Sequence, residues 1–111
     1  MFNDSNKKHL TVEFTCRALG DDKLSMRKFT GEIGENFIFF RKEFEDIKRR
    51  CNWDATISEG IITSSIDLDQ LRRALSGQAL QEFISRDQPY ANLQEAMDDY
   101  NYIMQERMLI I

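Results

Sequence analysis

Several residue types that define specialised protein classes are scarce in this 111-residue chain. One proline and five glycines exclude collagen-like and linker-like sequences, which are rich in both. The chain has no apolar run of about 18 residues, so no transmembrane helix is predicted. Residues 1–8 lack the apolar segment of a signal peptide. The two cysteines, Cys16 and Cys51, are too few and too far apart for a disulfide framework, so we expect reduced thiols in a cytoplasmic protein.

Residue patterns for catalysis and metal binding are also missing. His9 is the only histidine, and no pattern of serine and aspartate accompanies it that would indicate a catalytic triad. Zinc sites draw several ligands from closely spaced positions, whereas Cys16 and Cys51 lie 35 residues apart. We therefore predict no catalytic residue, no cofactor and no metal site, and we expect a protein that is not an enzyme.

The net charge of −4 is unevenly distributed along the chain. Residues 1–31 carry six basic and four acidic side chains, residues 32–51 carry five of each, and residues 52–111 carry four and ten. The second half therefore has a net charge of −6. Because nucleic-acid binding needs a basic face, we do not expect this chain to bind nucleic acid directly.

Residues 9–30 carry the pattern of a β-hairpin. Apolar side chains alternate with polar ones from Leu10 to Ala18, which is typical of a half-buried strand. Gly20 and the two aspartates after it form a turn signal, and a second alternating segment follows. We expect strands at about 10–18 and 23–29, preceded by a flexible N-terminus over residues 1–8. An isolated hairpin is marginal in water, so it must pack on the segments that follow or on another chain.

From residue 31 onward the apolar spacing becomes that of helices. The apolar residues of the first predicted helix fall on one stripe: Phe37, Phe40, Phe44, Ile47 and Cys51. Ile38 and Phe39 widen this stripe at its start. Helices are predicted at about 35–51, 55–64, 68–75, 77–85 and 93–108. The predicted fold class is therefore mostly α, a compact bundle of about five helices preceded by the N-terminal β-hairpin, with residues 31–111 as the helical lobe of a single domain.

Large apolar side chains are the remaining candidates for a binding surface. Trp53 and the phenylalanine stripe can anchor a core or line a groove for a partner, because large aromatic side chains dominate the energetics of both. The candidate interface or peptide groove consists of Val12, Phe14, Phe29, Phe37, Phe40, Trp53 and Tyr90.

A series of motifs extends from residue 29 to about residue 108. In order, these are Phe29-Thr30-Gly31, Glu35, the phenylalanine-rich stretch 37–44, Trp53, the leucine and alanine element 71–83, the polar cap 92–95 and Tyr100. This order of hydrophobic positions resembles the capsid-forming Gag proteins of LTR retrotransposons and their domesticated relatives. The pattern departs from that family at Phe83 and Ile84, where its members often have tryptophan, and in a longer stretch over residues 54–66.

The resemblance implies a structural module for virion or capsid assembly. A capsid-like N-terminal lobe is expected to self-associate into shells through protein–protein contacts, and in some domesticated relatives such a lobe binds short peptides in an apolar groove. The expected partners are therefore copies of the same chain, and a short peptide or a second protein beyond them. The absence of a Cys/His zinc knuckle and the apolar residues 108–111 fit an N-terminal lobe of a longer polyprotein.

A second hypothesis from another class stays open on the sequence. The acidic second half could present a binding face to a basic partner, as a small phage or host-interaction adaptor or inhibitor would, for example one like a tail-assembly chaperone. The reading frame beyond Ile111 would separate the two hypotheses. A stop there favours the adaptor, whereas a second helical lobe, a zinc knuckle or a protease favours the capsid-like module.

Overall fold

The computed structural model describes residues 10–53, 57–58, 61–62 and 66–109. The strands are β1 (Thr11–Cys16), β2 (Asp22–Arg27), β3 (Ile57–Ser58) and β4 (Ile61–Ile62). The helices are α1 (Phe37–Cys51), α2 (Ile66–Arg73), α3 (Gly77–Ile84) and α4 (Leu93–Leu109). The predicted N-terminus over residues 1–8, together with His9, lies outside the described residues, as does the end of the apolar segment at residues 110–111.

The expected hairpin is present, with shorter strands than predicted. β1 and β2 pair antiparallel, with Val12 opposite Met26 and Phe14 opposite Leu24. The alternation along β1 buries every second side chain, as the period of a strand requires. Residues 17–19 form a short 3₁₀ turn instead of extending the first strand, and Gly20 then takes a left-handed backbone conformation. This turn is why β1 ends at residue 16 and not near residue 18.

The prediction of a mostly α bundle of about five helices is wrong. The described residues form four α-helices, the N-terminal antiparallel hairpin and a second, short antiparallel strand pair, which makes the protein a small mixed α/β fold. The helix predicted over 55–64 is contradicted by β3 and β4, which pair antiparallel with Ile57 opposite Ile62. β-branched isoleucines favour strands, and Gly60 lies between the two paired segments in the sequence. The apolar spacing there suits a helix, but the residue types do not.

Helix α1 begins two residues later than predicted because of a side-chain cap. The Asn36 side chain accepts a hydrogen bond from the backbone N–H of Phe39 at 3.0 Å, which satisfies one of the free donors of the first turn. The helix ends where Asn52 adopts a left-handed conformation. Four residues of the predicted stripe are buried: Phe37, Phe40, Phe44 and Ile47. The phenylalanine stripe thus forms the core side of α1.

Phe29 lies at the centre of the core and joins the hairpin to the helices. Its ring centroid is 5.1 Å from that of Phe37 and 5.3 Å from that of Phe40. Its backbone N–H donates to the Ala74 carbonyl at 2.9 Å, and its carbonyl accepts from Ser76 N–H at 3.0 Å. These bonds place residue 29 beside Leu75 in a parallel bridge, which ends α2 before residue 74.

The residues after Phe29 continue this connection. We call this region the Phe29 junction, and it comprises residues 29–31, Glu35, Ala79, Tyr100 and Arg107. The Thr30 N–H donates to both Glu35 carboxylate oxygens, at 3.1 and 3.2 Å, while the Thr30 carbonyl accepts from Ala79 N–H at 2.9 Å. The buried Tyr100 hydroxyl donates to the Ala79 carbonyl at 2.6 Å. The Arg107 guanidinium donates to the Gly31 carbonyl and is also ion paired with Glu82. The junction therefore connects β2, α1, α3 and α4.

Within the described residues, none of the helices combines the length and apolar character that crossing a lipid bilayer would require.

Replacing Gly31 tests the packing of the Phe29 junction. Gly31 has φ of +82°, and an added Cβ would lie 3.3 Å from both the Cβ and the backbone nitrogen of Ala79. Gly20 is the matched control, since its φ is +81° but nothing lies within 4 Å of its added Cβ. We predict that Gly31→Ala lowers the free energy of unfolding by about 1–3 kcal/mol more than Gly20→Ala does. Urea unfolding measures both, and equal losses would contradict the packing described for residue 31.

Removing the Tyr100 hydroxyl tests the buried hydrogen bond of the same junction. Tyr100→Phe leaves the ring in place but removes the hydroxyl that donates to the buried Ala79 carbonyl. We predict a loss of about 1–3 kcal/mol in the free energy of unfolding. Tyr102→Phe is the control, because the Tyr102 hydroxyl bonds the exposed Glu106 at 2.7 Å and its removal should leave stability unchanged. Chemical denaturation of the two variants would contradict the assignment if both behaved like the parent protein.

Candidate functional site

The structure places all seven residues of the predicted interface in the core. The buried side chains are Val12, Phe14, Phe29, Phe37, Phe40, Trp53 and Tyr90. Phe14 and Trp53 pack edge to face, with ring centroids 4.8 Å apart. In this conformation these side chains stabilise the core. Phe29, Phe37 and Phe40 differ from the other four in that they also border open hollows on the surface.

Three of the six large apolar side chains that are exposed among the described residues lie around the N-terminal end of α1. Ile33 is 62% exposed, Ile38 57% and Phe39 65%. Ile38 and Phe39 were expected to widen the buried stripe, and that expectation is wrong. Each residue of a helix is rotated by about 100° from the one before it, so positions directly after Phe37 point away from the core once Phe37 is buried. Three large apolar side chains within seven residues therefore remain in contact with solvent.

A groove lies beside these side chains, between the start of α1 and the middle of α4. This α1–α4 groove has a volume of about 680 Å³ and is lined by residues 33–38 together with Asn101, Met104 and Gln105. The buried side chains of Phe37 and Met104 contribute apolar surface to it. A cavity of this volume with mostly apolar walls is of the size that holds a small ligand or several side chains of a partner.

The polar groups of the α1–α4 groove are mainly neutral. Asn36, Asn101 and Gln105 contribute amides, and Glu35 is the ionisable residue of the lining. The Glu35 carboxylate accepts the Thr30 N–H with both oxygens, so its charge is directed toward the Phe29 junction. The lining therefore suits an uncharged, apolar occupant better than an ion.

A smaller hollow of about 350 Å³ lies on the other side of the same loop, between β2 and α1. It shares residues 34–36 with the α1–α4 groove, and Phe39 and Phe40 contribute its apolar walls. Its rim carries both charge signs, with Arg27 and Lys28 on one side and Glu43 on the other. The exposed Phe39 ring thus lies at a hollow of mixed character, next to the neutral groove.

The titratable groups with shifted pKa values are made less reactive by their surroundings. Burial, followed by a hydrogen bond with Cys16, raises the pKa of the Cys51 thiol to about 12. Burial and the adjacent Asp99 carboxylate raise the pKa of Tyr90, whose hydroxyl donates to Asp99 at 2.6 Å. A nucleophile needs a lowered pKa or an adjacent base, so these shifts run opposite to activation.

Arg86 completes a small polar cluster with Tyr90 and Asp99. Its guanidinium lies 4.0 Å from the centre of the Tyr90 ring and 3.3 Å from the Asp99 carboxylate. Cation–π and ion-pair contacts of this kind attach the loop before α4 to that helix. Over the ranges described above, no three histidine, cysteine or acidic side chains come together in a way that could hold a metal ion.

Comparison with known proteins finds no relative: no family model, no curated protein and no solved structure gives a match to this chain.

The buried tyrosine predicts how stability responds to alkaline pH. Burial is the largest cause that raises the pKa of Tyr100, whereas an unfolded tyrosine ionises near pH 10. Above that pH the unfolded chain has released a proton that the folded chain retains, so the free energy of unfolding falls as pH rises. Tyr100→Phe is predicted to make the fall between about pH 9 and 11 shallower. Urea denaturation across this range measures the slope of the free energy of unfolding against pH. A loss of stability that is the same at every pH does not change this slope. Equal slopes in the parent and variant proteins would contradict the prediction.

Proposed function

We propose that this protein is a non-catalytic, self-associating module of the cytoplasm, and that the α1–α4 groove with the exposed Ile33, Ile38 and Phe39 side chains forms the contact with a second copy. The observation that carries the proposal is the exposure of these three large apolar side chains next to an apolar groove. Exposed apolar surface rimmed by polar groups is a common mark of protein–protein contacts.

A second copy of the chain is the occupant that the surface suits best. A two-fold symmetric contact requires one patch to be complementary to itself. Here Ile33 and Ile38 line the apolar groove, and Phe39 projects at the smaller hollow next to it. Each copy therefore offers both a projection and a recess. Asn36, Asn101 and Gln105 contribute neutral amides to the groove. The Glu35 carboxylate of the lining is directed toward the Thr30 N–H, which limits repulsion between two identical surfaces.

The expected association is weak. Full burial of one such apolar side chain contributes about 1.5–3 kcal/mol, and a symmetric contact would bury three from each copy. Loss of rigid-body freedom on association costs about 4–15 kcal/mol. Burial of all six side chains contributes about 9–18 kcal/mol. A surplus of about 4–5.5 kcal/mol over the mid-range cost of association corresponds to a dissociation constant of about 0.1–1 mM. Weak contacts of this kind act in assemblies where many copies are held together at once.

The capsid-like role draws its support from the motifs that resemble Gag proteins. Phe29-Thr30-Gly31, Glu35 and Tyr100 belong to those motifs, and all of them take part in the Phe29 junction. This junction holds the loop that forms one wall of the α1–α4 groove. We propose that the motif spacing on which the resemblance rests serves to orient an assembly surface, and that the module contributes to shells built from repeated copies.

The adaptor hypothesis is less well supported by the electrostatics. Four acidic residues of the second half are ion paired: Asp67 with Lys48, Glu82 with Arg107, Asp98 with Arg41 and Asp99 with Arg86. Pairing of this kind lowers the field that these carboxylates present to an approaching basic partner. The apolar surface therefore carries the proposal.

Removing the apolar projections tests the proposed contact. The unmodified chain is predicted to increase in average mass between about 10 μM and 1 mM in sedimentation equilibrium. The double variant Ile38→Ser/Phe39→Ser is predicted to stay monomeric over this range. Because both side chains are more than half exposed, its thermal stability should remain close to that of the parent protein.

Ile84→Ser is the matched control, since Ile84 is 52% exposed but does not line the groove. This variant should associate like the parent protein. A parent chain that remains monomeric at about 1 mM, or equal loss of association in the control, would contradict the proposal.

A further inference from the structure

The two cysteines, distant in sequence, come together where the hairpin meets α1. Cys16 is the last residue of β1 and Cys51 the last residue of α1. The Cys16 thiol donates to the carbonyl of Arg50 at 3.3 Å, which places it directly beside the backbone of Cys51. Both are free thiols, and Cys16 contacts the residue directly before Cys51.

The position of each cysteine follows from the pattern of its own element. Cys16 continues the inward-facing positions of β1 after Val12 and Phe14, and it is fully buried. Cys51 continues the core stripe of α1 after Phe44 and Ile47, and it is half-buried against the core. Two independent periodicities thus direct both thiols to one point between strand and helix.

We propose that Cys16 and Cys51 form a reversible disulfide that ties the hairpin to α1 when the chain meets a low-molecular-weight disulfide such as oxidised glutathione. This proposal is independent of the proposed self-association, because neither cysteine lines the α1–α4 groove. In a reducing cytoplasm the pair stays as two thiols, and in an oxidising environment it closes.

The chemistry proceeds by two thiol–disulfide exchanges. The more accessible Cys51 thiol loses its proton and attacks one sulfur of oxidised glutathione, which releases one glutathione thiolate and leaves a mixed disulfide on Cys51. The Cys16 thiol then loses its proton and attacks the Cys51 sulfur, which releases the second glutathione. Two protein thiols are oxidised by two electrons in total, and one glutathione disulfide is reduced to two thiols.

Burial makes the first exchange slow at neutral pH. The Cys51 pKa of about 12 keeps its thiol protonated, and only the thiolate attacks a disulfide. The rate of closure is therefore predicted to rise about tenfold for each pH unit between about pH 7 and 9. Once closed, the bond joins positions 35 residues apart and restricts the unfolded chain.

The experiment exposes the full-length chain, in its native buffer at about pH 8.5, to oxidised glutathione and follows it by intact mass. The expected product has lost two hydrogen atoms, carries no glutathione, and yields a linked pair of tryptic peptides containing Cys16 and Cys51. Its melting temperature is expected to rise by at least about 5 °C and to return to its initial value after reduction.

Single variants separate the two steps. Cys16→Ser should stop at a stable glutathione adduct on Cys51, whereas Cys51→Ser should react far more slowly because Cys16 is fully buried. The linked peptides from the unmodified chain keep the test valid if either variant fails to fold.

Three results would overturn the proposal. In the first, the native chain forms only glutathione adducts or interchain dimers. In the second, the disulfide-linked chain melts at a lower temperature than the reduced chain. In the third, the native chain does not react with oxidised glutathione, whereas the chain unfolded in urea does. In each case the thiols would not meet in a geometry that a disulfide can adopt.

Discussion

The backbone of Phe29 and Thr30 crosses the interior between the hairpin and the helices, and its polar groups must be satisfied there. An unpaired peptide group buried in the core would cost about 1–3 kcal/mol. The bonds to residues 74, 76 and 79, with the Glu35 carboxylate on the Thr30 N–H, meet this requirement.

Much of the architecture follows from these bonds. They end α2 early, position α3 and, through the Tyr100 hydroxyl on the Ala79 carbonyl, attach α4. The ring of Phe29 then holds α1 by contact with Phe37 and Phe40.

The proposed assembly surface is a consequence of the same arrangement. Burial of Phe37 and Phe40 against Phe29 fixes the rotation of α1 about its axis, and this rotation leaves Ile38 and Phe39 facing solvent. The loop over residues 31–36 is held by Thr30, Glu35 and Arg107, so the wall that it contributes to the α1–α4 groove is supported from behind. A contact surface built on supported backbone loses little conformational entropy on association, and preorganisation of this kind favours binding.

Sequence reasoning was accurate where one periodicity agreed with residue type, and it failed where the two disagreed. The alternation in β1 and the stripe of α1 both identified buried side chains, and Asn36 as an N-cap shifted the start of α1 by only two residues. Over residues 55–64 the helical spacing of isoleucines conflicted with their β-branched character, and the described part of this segment forms paired strands. The seven candidate interface residues stay a prediction, and their burial has a related reason. Large aromatic residues mark both cores and contact surfaces, and all seven candidates proved to be buried. The sequence signal for the exposed surface was the pair Ile38 and Phe39. The stripe of α1 follows the helical period without them, so these two apolar residues lie outside the core side of the helix.

The chain's own periodicities determined which side chains face inward on β1, α1 and α4, because the pitch of a strand or a helix is a local property of the backbone. They also determined that Cys16 and Cys51 would each point toward a core. Only the tertiary structure decided that Cys16 lies against the C-terminal end of α1, that the Phe29 backbone pairs with the segment before α3, and that a groove opens beside α1. Each of these depends on how separate elements are placed in space, and that placement results from long-range packing and from hydrogen bonds between residues up to 76 positions apart. The spacing of apolar residues within one element does not specify which other element it will pack against. Contacts across the core therefore follow from the tertiary structure and not from local sequence patterns.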